Sequence, residues 1–332
     1  MSSFLTKLRV SITLWIFWVL LSIRNLHIAR AVFRAATKPT SSQKLWMVAD
    51  PQEKTCMWVL EGAASLKQEE LYDRIKMADV VLVWVHGGAM VFGSADQNMT
   101  PFINWIKLFK EKKSLNIVIC GVEYRLAPEN PVPAQYEDVA TAYTHIVKDL
   151  GISTTKIILG GDSAGSLLGP EAIIYSRAFN HLLPNNGYQL PIPAGYVLSS
   201  PVAGVMDPCP SVEENKHKDY NPTSLNYLAS YVANAPSDFQ PKPWVLLNDD
   251  YNLSVNAAKR ALVFVGGHET SRDENILIAK RFSDGGVDTT VITEQYPHNW
   301  FLLGPSVVDE PSVNEKADET FANWVIESIT RD

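Results

Sequence analysis

Residues 156–167 read KIILGGDSAGSL. The apolar start of this stretch predicts a short strand, and a helix is expected to begin just after Ser163. A Gly-x-Ser-x-Gly between a strand and a helix forms a turn too tight for Cβ atoms at Gly161 and Gly165. The turn exposes the serine hydroxyl and directs the first N–H groups of the helix at a developing oxyanion. We therefore predict Ser163 as a nucleophile and the Ala164 N–H as an oxyanion donor.

A second glycine-containing motif, His86-Gly87-Gly88-Ala89, follows the apolar run 79–85 upstream of the serine. A glycine pair at the end of a strand lets backbone N–H groups turn toward a substrate oxygen, which predicts Gly87 and Gly88 as further oxyanion donors. His86 has two interpretations, as a catalytic base or as a side chain that holds the loop by hydrogen bonding. The motif favours the second.

A serine nucleophile needs a base, and the base needs an acid that fixes its tautomer. Behind an elbow of this type the expected chain order is serine, acid, histidine. His298 follows the predicted strand 287–293, where a loop can reach back over Ser163. His268 also follows a strand, but it precedes the candidate acids. We therefore predict His298 as the base.

The acid has two candidates in the stretch GGHETSRDE at residues 266–274, which follows the predicted strand 261–265. Glu269 stands nearer the strand end and is the first choice. Asp273 is the alternative acid, one helical turn further along, where a carboxylate also suits a structural hydrogen bond or the helix dipole.

Apolar strands alternate with amphipathic helices from about residue 44 onward, which is typical of an α/β fold. The runs 79–85 and 116–122 are continuously apolar, and this favours parallel strands covered on both faces. We expect a mostly parallel central sheet with helices on both sides. The predicted strands are 44–48, 55–60, 79–85, 116–122, 156–159, 195–198, 261–265 and 287–293, and the predicted helices are 133–150, just after 163 to 179, 272–282 and 311–329.

Four motifs together resemble the hormone-sensitive lipase group of the α/β-hydrolase superfamily. They are HGG at 86–88, YRLAPE at 124–129, GDSAG at 161–165 and RDE at 272–274. The resemblance covers residues 80–304 and implies an α/β-hydrolase domain over 41–330. It also implies a cap built from the N-terminal segment 1–40 and an insertion at about 207–250. Three residues depart from the usual pattern: Ala89 replaces a third glycine, Ser166 replaces another glycine, and Glu269 stands where aspartate is usual.

The same resemblance implies hydrolysis of carboxylic esters through an acyl-enzyme, without a cofactor or metal. Membrane-anchored fungal steryl acetate hydrolases are similar in joining an apolar N-terminus to such a domain. Release of a short acyl group, acetyl, from a hydrophobic small-molecule ester is therefore the sharper expectation. Two alternatives stay open, an amidase or formamidase on the same fold and a non-catalytic ligand-binding relative.

The N-terminal segment contains the uncharged run VSITLWIFWVLLSI at residues 10–23. As a helix it rises about 21 Å, short of the roughly 30 Å hydrocarbon core, although snorkelling flanks extend the reach. We expect a single-pass membrane anchor, with the endoplasmic reticulum as its candidate membrane. A cleavable signal ending near Ala29-Arg30-Ala31 and a cap helix over the active site are the other interpretations.

Composition excludes several other functions. The formal net charge of −7 and the lack of a basic stripe argue against a nucleic-acid partner. Three scattered cysteines do not form the close pairs of a structural zinc site. The hydrophobic fraction of 46% and charged fraction of 20% are those of a folded enzyme.

Overall fold

The computed structural model describes residues 4–23, 25–178, 188–202, 209–220 and 253–330. Its centre is an eight-stranded sheet in the order β1-β2-β4-β3-β5-β6-β7-β8. The pairs β1–β2 and β2–β4 are antiparallel, and all other neighbouring strands are parallel. The strands are β1 Met47–Ala49, β2 Cys56–Val59, β3 Val80–Val85, β4 Ile117–Val122, β5 Ile157–Asp162, β6 Gly195–Ser199, β7 Arg260–Gly266 and β8 Asp288–Glu294.

Helices cover both faces of this sheet. Those described are α1 Phe4–Leu21, α2 Leu26–Thr37, α3 Gln68–Lys76, α4 Met99–Lys113, α5 Ala134–Thr144, α6 Gly165–Ala178, α7 Pro210–Asn215, α8 Leu253–Asn256, α9 Arg272–Asp284, α10 Trp300–Leu303 and α11 Pro311–Thr330. Alternate residues of β3 enter two separate hydrophobic clusters, Val81 and Val83 on one face and Leu82 and Trp84 on the other. The two clusters explain why this strand is continuously apolar.

The sheet predicted from sequence is confirmed, with shifted ends. The first strand begins at Met47 and not at residue 44, because residues Gln43–Trp46 form a 3₁₀ turn and pairing begins only where Met47 faces Val59. The helix expected over 133–150 ends at Thr144 and continues as a single π turn, His145–Asp149. Helices α3 and α4 were not predicted.

The N-terminal helices lie against the catalytic domain. On α2, Ala29 is buried beside Val91, Phe92 and Ala127. On α1, Leu14 and Phe17 pack against the cluster beneath α4 and α11. These contacts favour the cap interpretation of the segment.

Among the residues that the structure describes, no helix is long and apolar enough to cross a membrane, so the anchor predicted at residues 10–23 is not found there. The predicted insertion at 207–250 lies mostly outside the described residues. Its described part, 209–220, includes α7 and packs against the loop that carries Glu269.

Candidate active site

Ser163 occupies the turn between β5 and α6 with a φ of +52°, a left-handed conformation that L residues adopt only under constraint. The flanking glycines are required by space. A Cβ on Gly161 would lie 2.4 Å from the Gly165 backbone, and a Cβ on Gly165 would lie 2.1 Å from the Val85 carbonyl oxygen. The Ser163 N–H donates to the Ser199 carbonyl at 2.8 Å, which fixes the turn against the end of β6.

The predicted base and acid are in contact. His298 lies in the loop between β8 and α10, and its Nδ1 is 2.9 Å from Oε2 of Glu269. Both side chains are buried. Because Nδ1 faces the carboxylate, Nε2 is the nitrogen left to serve as the base.

Glu269 is held by four further donors. Oε1 accepts from the Gly266 N–H at 2.5 Å and from the Ser200 hydroxyl at 2.6 Å. Oε2 accepts from the Ser271 hydroxyl at 3.0 Å and from Asn275 Nδ2 at 2.9 Å. These bonds hold the carboxylate in one orientation, so the imidazole that contacts it is also fixed.

The alternative acid lies elsewhere. Asp273 is in the first turn of α9, where its Oδ2 accepts from the Ser211 N–H at 2.9 Å and its Oδ1 pairs with Arg272. The structure therefore brings Glu269, and not Asp273, to the imidazole of His298.

The end of β6 connects the elbow with the histidine loop. The Ser199 carbonyl accepts the Ser163 N–H, while the next hydroxyl, Ser200 Oγ, accepts the Asn299 N–H at 2.9 Å. The Ser200 hydroxyl in turn donates to Glu269. Two successive residues thus connect the three loops on which the nucleophile, the acid and the base lie.

The oxyanion loop lies against the elbow. Gly87 is so close to Asp162 that a Cβ on Gly87 would meet Oδ2 at 2.5 Å. Gly88 has a φ of +113°, a left-handed conformation. Gly87, Gly88 and Ala164 stay predictions as oxyanion donors.

Asp162 is buried and bridges the loop to the sheet. It accepts from Trp84 Nε1 at 2.9 Å and from Asn98 Nδ2 at 2.8 Å. Burial raises the pKa of Asp162, and these bonds together with the Gly87 amide oppose the rise. The sequence analysis assigned no role to this carboxylate, although it lies inside the central motif.

His86 takes the structural role that its motif favours. Burial lowers the pKa of His86 to about 4, so the ring is neutral at pH 7. Its Nδ1 is 2.7 Å from the Gly87 carbonyl oxygen, and the ring stacks on Tyr124 at 4.0 Å between centroids. Tyr124 also donates to the His86 carbonyl at 2.9 Å. These contacts fix the backbone of the oxyanion loop.

His298 is surrounded by carboxylates. Burial lowers the pKa of His298, but the hydrogen bond and charge of Glu269 and the charges of Asp219 and Asp162 outweigh burial, so the net shift is upward. The imidazolium that forms during proton transfer is therefore stabilised by nearby negative charge.

Asp219 is a further residue of the site, which the sequence analysis placed only in the polar insertion. Its Oδ1 accepts the backbone N–H of His298 at 3.2 Å. Its Oδ2 accepts the Thr270 N–H at 2.9 Å and the Thr270 hydroxyl at 3.1 Å. One buried carboxylate thus joins the loop of the base to the loop of the acid. Its neighbour Tyr220 donates to the His298 carbonyl at 2.8 Å.

In the described ranges, no group of three or more His, Cys, Asp or Glu residues has the arrangement to hold a metal ion. The three cysteines are buried free thiols.

Comparison with known proteins places the chain in a family. A family model for the alpha/beta hydrolase fold matches residues 82–302. Arylacetamide deacetylase-like 2 of Homo sapiens is 37% identical over 93 residues, which are 26% of this chain and only 22% of that protein. The 2-hydroxyisoflavanone dehydratase of Glycyrrhiza echinata is 27% identical over 233 residues, 65% of this chain and 67% of that protein.

A solved structure described as an esterase from the bacterial hormone-sensitive lipase family superposes with a TM-score of 0.72. The two chains are 21% identical, and the superposition covers 97% of this chain and 98% of that one, which establishes a common fold. The family match spans more than half of the chain and includes both the elbow and the histidine loop. The chain therefore belongs to the α/β-hydrolase fold family.

Proposed function

We propose that this chain is a serine carboxylic ester hydrolase that releases a short acyl group, such as acetyl, from a hydrophobic small molecule. The observation that carries the proposal is the 2.9 Å contact between His298 Nδ1 and Glu269 Oε2, on loops tied by β6 to the Ser163 elbow. An imidazole oriented by a carboxylate, on a loop tied to a serine elbow, is suited to acyl transfer.

In the first half of the reaction, Ser163 Oγ attacks the ester carbonyl carbon while His298 Nε2 takes the hydroxyl proton. The carbonyl oxygen becomes an oxyanion, which accepts hydrogen bonds from the predicted donors, the Gly87, Gly88 and Ala164 N–H groups. Collapse of this intermediate breaks the bond to the alcohol oxygen, and His298 returns the proton to that oxygen. The alcohol leaves, and an acyl-serine ester stays on the protein.

In the second half, His298 takes a proton from water, and the hydroxide attacks the acyl-serine carbonyl. The same amides hold the second oxyanion. Its collapse breaks the bond to Ser163 Oγ, which regains the proton, and the carboxylic acid leaves. Glu269 stabilises the imidazolium in both halves. The cycle balances with an ester and water as its only reactants.

The described surroundings of the site support an apolar substrate. Phe17 of α1 lies 5.1 Å from Tyr220, and Tyr220 lies 6.2 Å from the His298 ring, all between ring centroids. On α2, Phe33 stacks on Phe92 of the oxyanion loop at 5.9 Å. Aromatic side chains beside a catalytic centre favour hydrophobic ligands over charged ones. The name of the human relative, a deacetylase-like protein, is consistent with a short acyl group.

A fluorophosphonate probe tests the nucleophile. The full chain is expected to be labelled once, and Ser163→Ala is expected to lose the label and about 10⁶-fold in kcat. Ser65→Ala is the matched control, because Ser65 is exposed and bonds only to the nearby Gly62 carbonyl. Labelling that survives Ser163→Ala would refute the proposal.

A substrate series tests the reaction class. We expect kcat/KM for p-nitrophenyl esters to be highest at acetyl to butyryl and to fall for long acyl chains. Matched N-formyl and N-acetyl anilides measure amide hydrolysis on the same samples. Amide rates above ester rates would replace the esterase proposal by the amidase alternative, and labelling without turnover of either class would favour a ligand-binding role.

A further inference from the structure

Helix α1 is apolar on two opposite faces. Its inner face contacts the catalytic domain through Leu14 and Phe17, and Arg9 also donates to the Pro305 carbonyl at 2.7 Å. Its outer face exposes a row of large apolar side chains at helical spacing. They are Leu8 at 45%, Ile12 at 49%, Trp15 at 64%, Ile16 at 44% and Val19 at 37% exposure. A contiguous exposed patch of this kind marks an interaction surface.

The charge of this part of the chain identifies the kind of partner. The first 49 residues contain seven Lys or Arg and no Asp or Glu, although the whole chain has a formal charge of −7. Lys7 and Arg9 are exposed at the start of α1, beside the apolar row. Trp15 and Trp18 are also exposed, and tryptophan is enriched at the boundary between lipid and water. Apolar residues flanked by cations match a bilayer surface with anionic headgroups.

Two other arrangements fit the contacts less well. A bilayer-spanning helix would be surrounded by lipid, whereas the inner face of α1 lies on folded protein. Pairing of two copies through the outer face would bring Lys7 and Arg9 near the same residues of a second copy. Like charges facing each other oppose such a dimer.

We propose that the outer face of α1, defined by Leu8, Ile12, Trp15, Ile16 and Val19, docks on an anionic bilayer surface with the helix lying in the interface. The helix would bury this row about 5–10 Å into the boundary between headgroups and acyl chains. This gives the predicted membrane location a different physical form from a single-pass anchor.

The docked orientation also places the catalytic centre near the lipid. Phe17, on the inner face of the same helix, contacts Tyr220, which holds the His298 carbonyl. Phe17 and Tyr220 thus lie between α1 and the loop of the base. This consequence rests on the proposed function: a hydrophobic ester dissolved in the bilayer would enter the site along α1.

Vesicle flotation of the full chain tests the surface. With vesicles of phosphatidylcholine and 30 mol% phosphatidylserine, the protein is expected to float, and binding should fall at least tenfold with phosphatidylcholine alone or at 1 M salt. The variant Ile12→Glu/Trp15→Glu is expected to lose at least tenfold in vesicle binding. Leu45→Glu is the matched control, since Leu45 is 61% exposed but lies outside α1, and it should bind as the parent protein does.

Folding is checked on the same samples by fluorophosphonate labelling, which the double variant should retain because neither changed residue touches the catalytic groups. Absence of vesicle binding by the parent protein, or equal binding by the double variant, would overturn the proposal. Resistance of the membrane-bound protein to extraction with alkaline carbonate, which indicates a spanning helix, would also overturn it. A parent protein that is dimeric, with a double variant that is monomeric, would overturn it as well. Vesicle binding by a chain that hydrolyses no ester would overturn the proposed function and leave the docking surface standing.

Discussion

Glu269→Gln compared with Asp273→Asn tests which carboxylate orients the catalytic base. The two residues are four positions apart, but only Glu269 contacts the imidazole of His298. Asp273 contacts Ser211 and Arg272 on the surface of α9. Both replacements keep the size of the side chain and remove one charge, so they differ mainly in what the lost oxygen was bonded to.

The geometry around residue 269 determines the effect of the amide. Oε1 accepts the Gly266 N–H, a donor that cannot turn into an acceptor, so the amide oxygen must stay on that side. The NH₂ group then faces Nδ1 of His298. Nδ1 has to accept, its proton moves to Nε2, and this tautomer cannot take the proton of Ser163. Asn275 can adapt by rotating its amide, because its Oδ1 has no hydrogen-bond partner in the structure.

The expected loss follows from this wrong tautomer. Loss of the carboxylate from a triad costs on the order of 10⁴ in kcat, or about 5 kcal/mol of transition-state stabilisation. Asp273→Asn keeps the imidazole contact, so we expect a change in kcat of less than about threefold. Rates are measured with p-nitrophenyl acetate at pH 8.

Stability is measured in parallel to separate catalysis from folding. Glu269 is fully buried, and Glu269→Ala would leave donors such as the Gly266 N–H without a partner, at about 1–3 kcal/mol each. For this reason the amide variant is the primary test, and Glu269→Asp, which shortens the acid by one methylene, should recover part of the rate. A larger loss in Asp273→Asn than in Glu269→Gln, with both proteins folded, would refute the assignment.

Three further changes test the surroundings of the site. Asp219→Asn removes a charge that raises the pKa of His298. Because only the neutral imidazole is a base, the acidic limb of the pH profile of kcat/KM should move to lower pH, while kcat falls about 3–30-fold. An unshifted limb would mean that Asp219 acts only in folding. Gly165→Ala puts a Cβ 2.1 Å from a main-chain oxygen and should lower the free energy of unfolding by more than about 2 kcal/mol. The control is Gly169→Ala in the same helix, whose Cβ meets only side-chain atoms at 3.2 Å or more and which should be near neutral in urea unfolding. Equal unfolding midpoints for the two variants would contradict the elbow geometry. Arg30 of α2 donates through its guanidinium to the Val91 and Ala127 carbonyls, and Arg30→Lys replaces this group by a single ammonium. We expect KM for hydrophobic esters to rise about 2–10-fold with kcat nearly unchanged. A lower kcat at constant KM would show that the cap positions catalytic groups instead.

Local patterns were sufficient to predict the sheet and the elbow. The strands β3 and β4 are covered on both faces, and their continuous apolarity follows directly from that burial. A Cβ on either glycine of the elbow would meet main-chain atoms within a few residues or at the adjacent strand end. The need for glycine at these two positions can therefore be recognised from the pentapeptide motif. The order of serine, acid and histidine then restricted the remaining search to a few positions.

Residues that act through long-range contacts could not be found in this way. Asp219 reaches His298 across 79 positions of the chain, and its neighbours in sequence resemble any polar loop. The close approach of Gly87 to Asp162, 75 residues away in the sequence, is also invisible in the motif that contains Gly87. The choice between Glu269 and Asp273 likewise needed the position of the imidazole, because both are carboxylates near the end of one strand.

The N-terminal segment shows why composition alone leaves several structures open. A spanning anchor, a buried cap helix and an interfacial helix all require a run of apolar residues, so residues 10–23 fit each of them. What separates them is the number of faces that meet protein. Among the described residues, one face of α1 packs on the catalytic domain and the opposite face is exposed, which is the geometry expected of a helix between a folded domain and a lipid surface. Because the inner face carries Phe17 toward Tyr220 and His298, removal of apolar groups from the outer face should leave hydrolysis of soluble esters intact and lower the rate only for esters dissolved in vesicles. Equal rate losses on both kinds of substrate would mean that α1 supports the catalytic geometry itself, and the membrane would then have no part in substrate delivery.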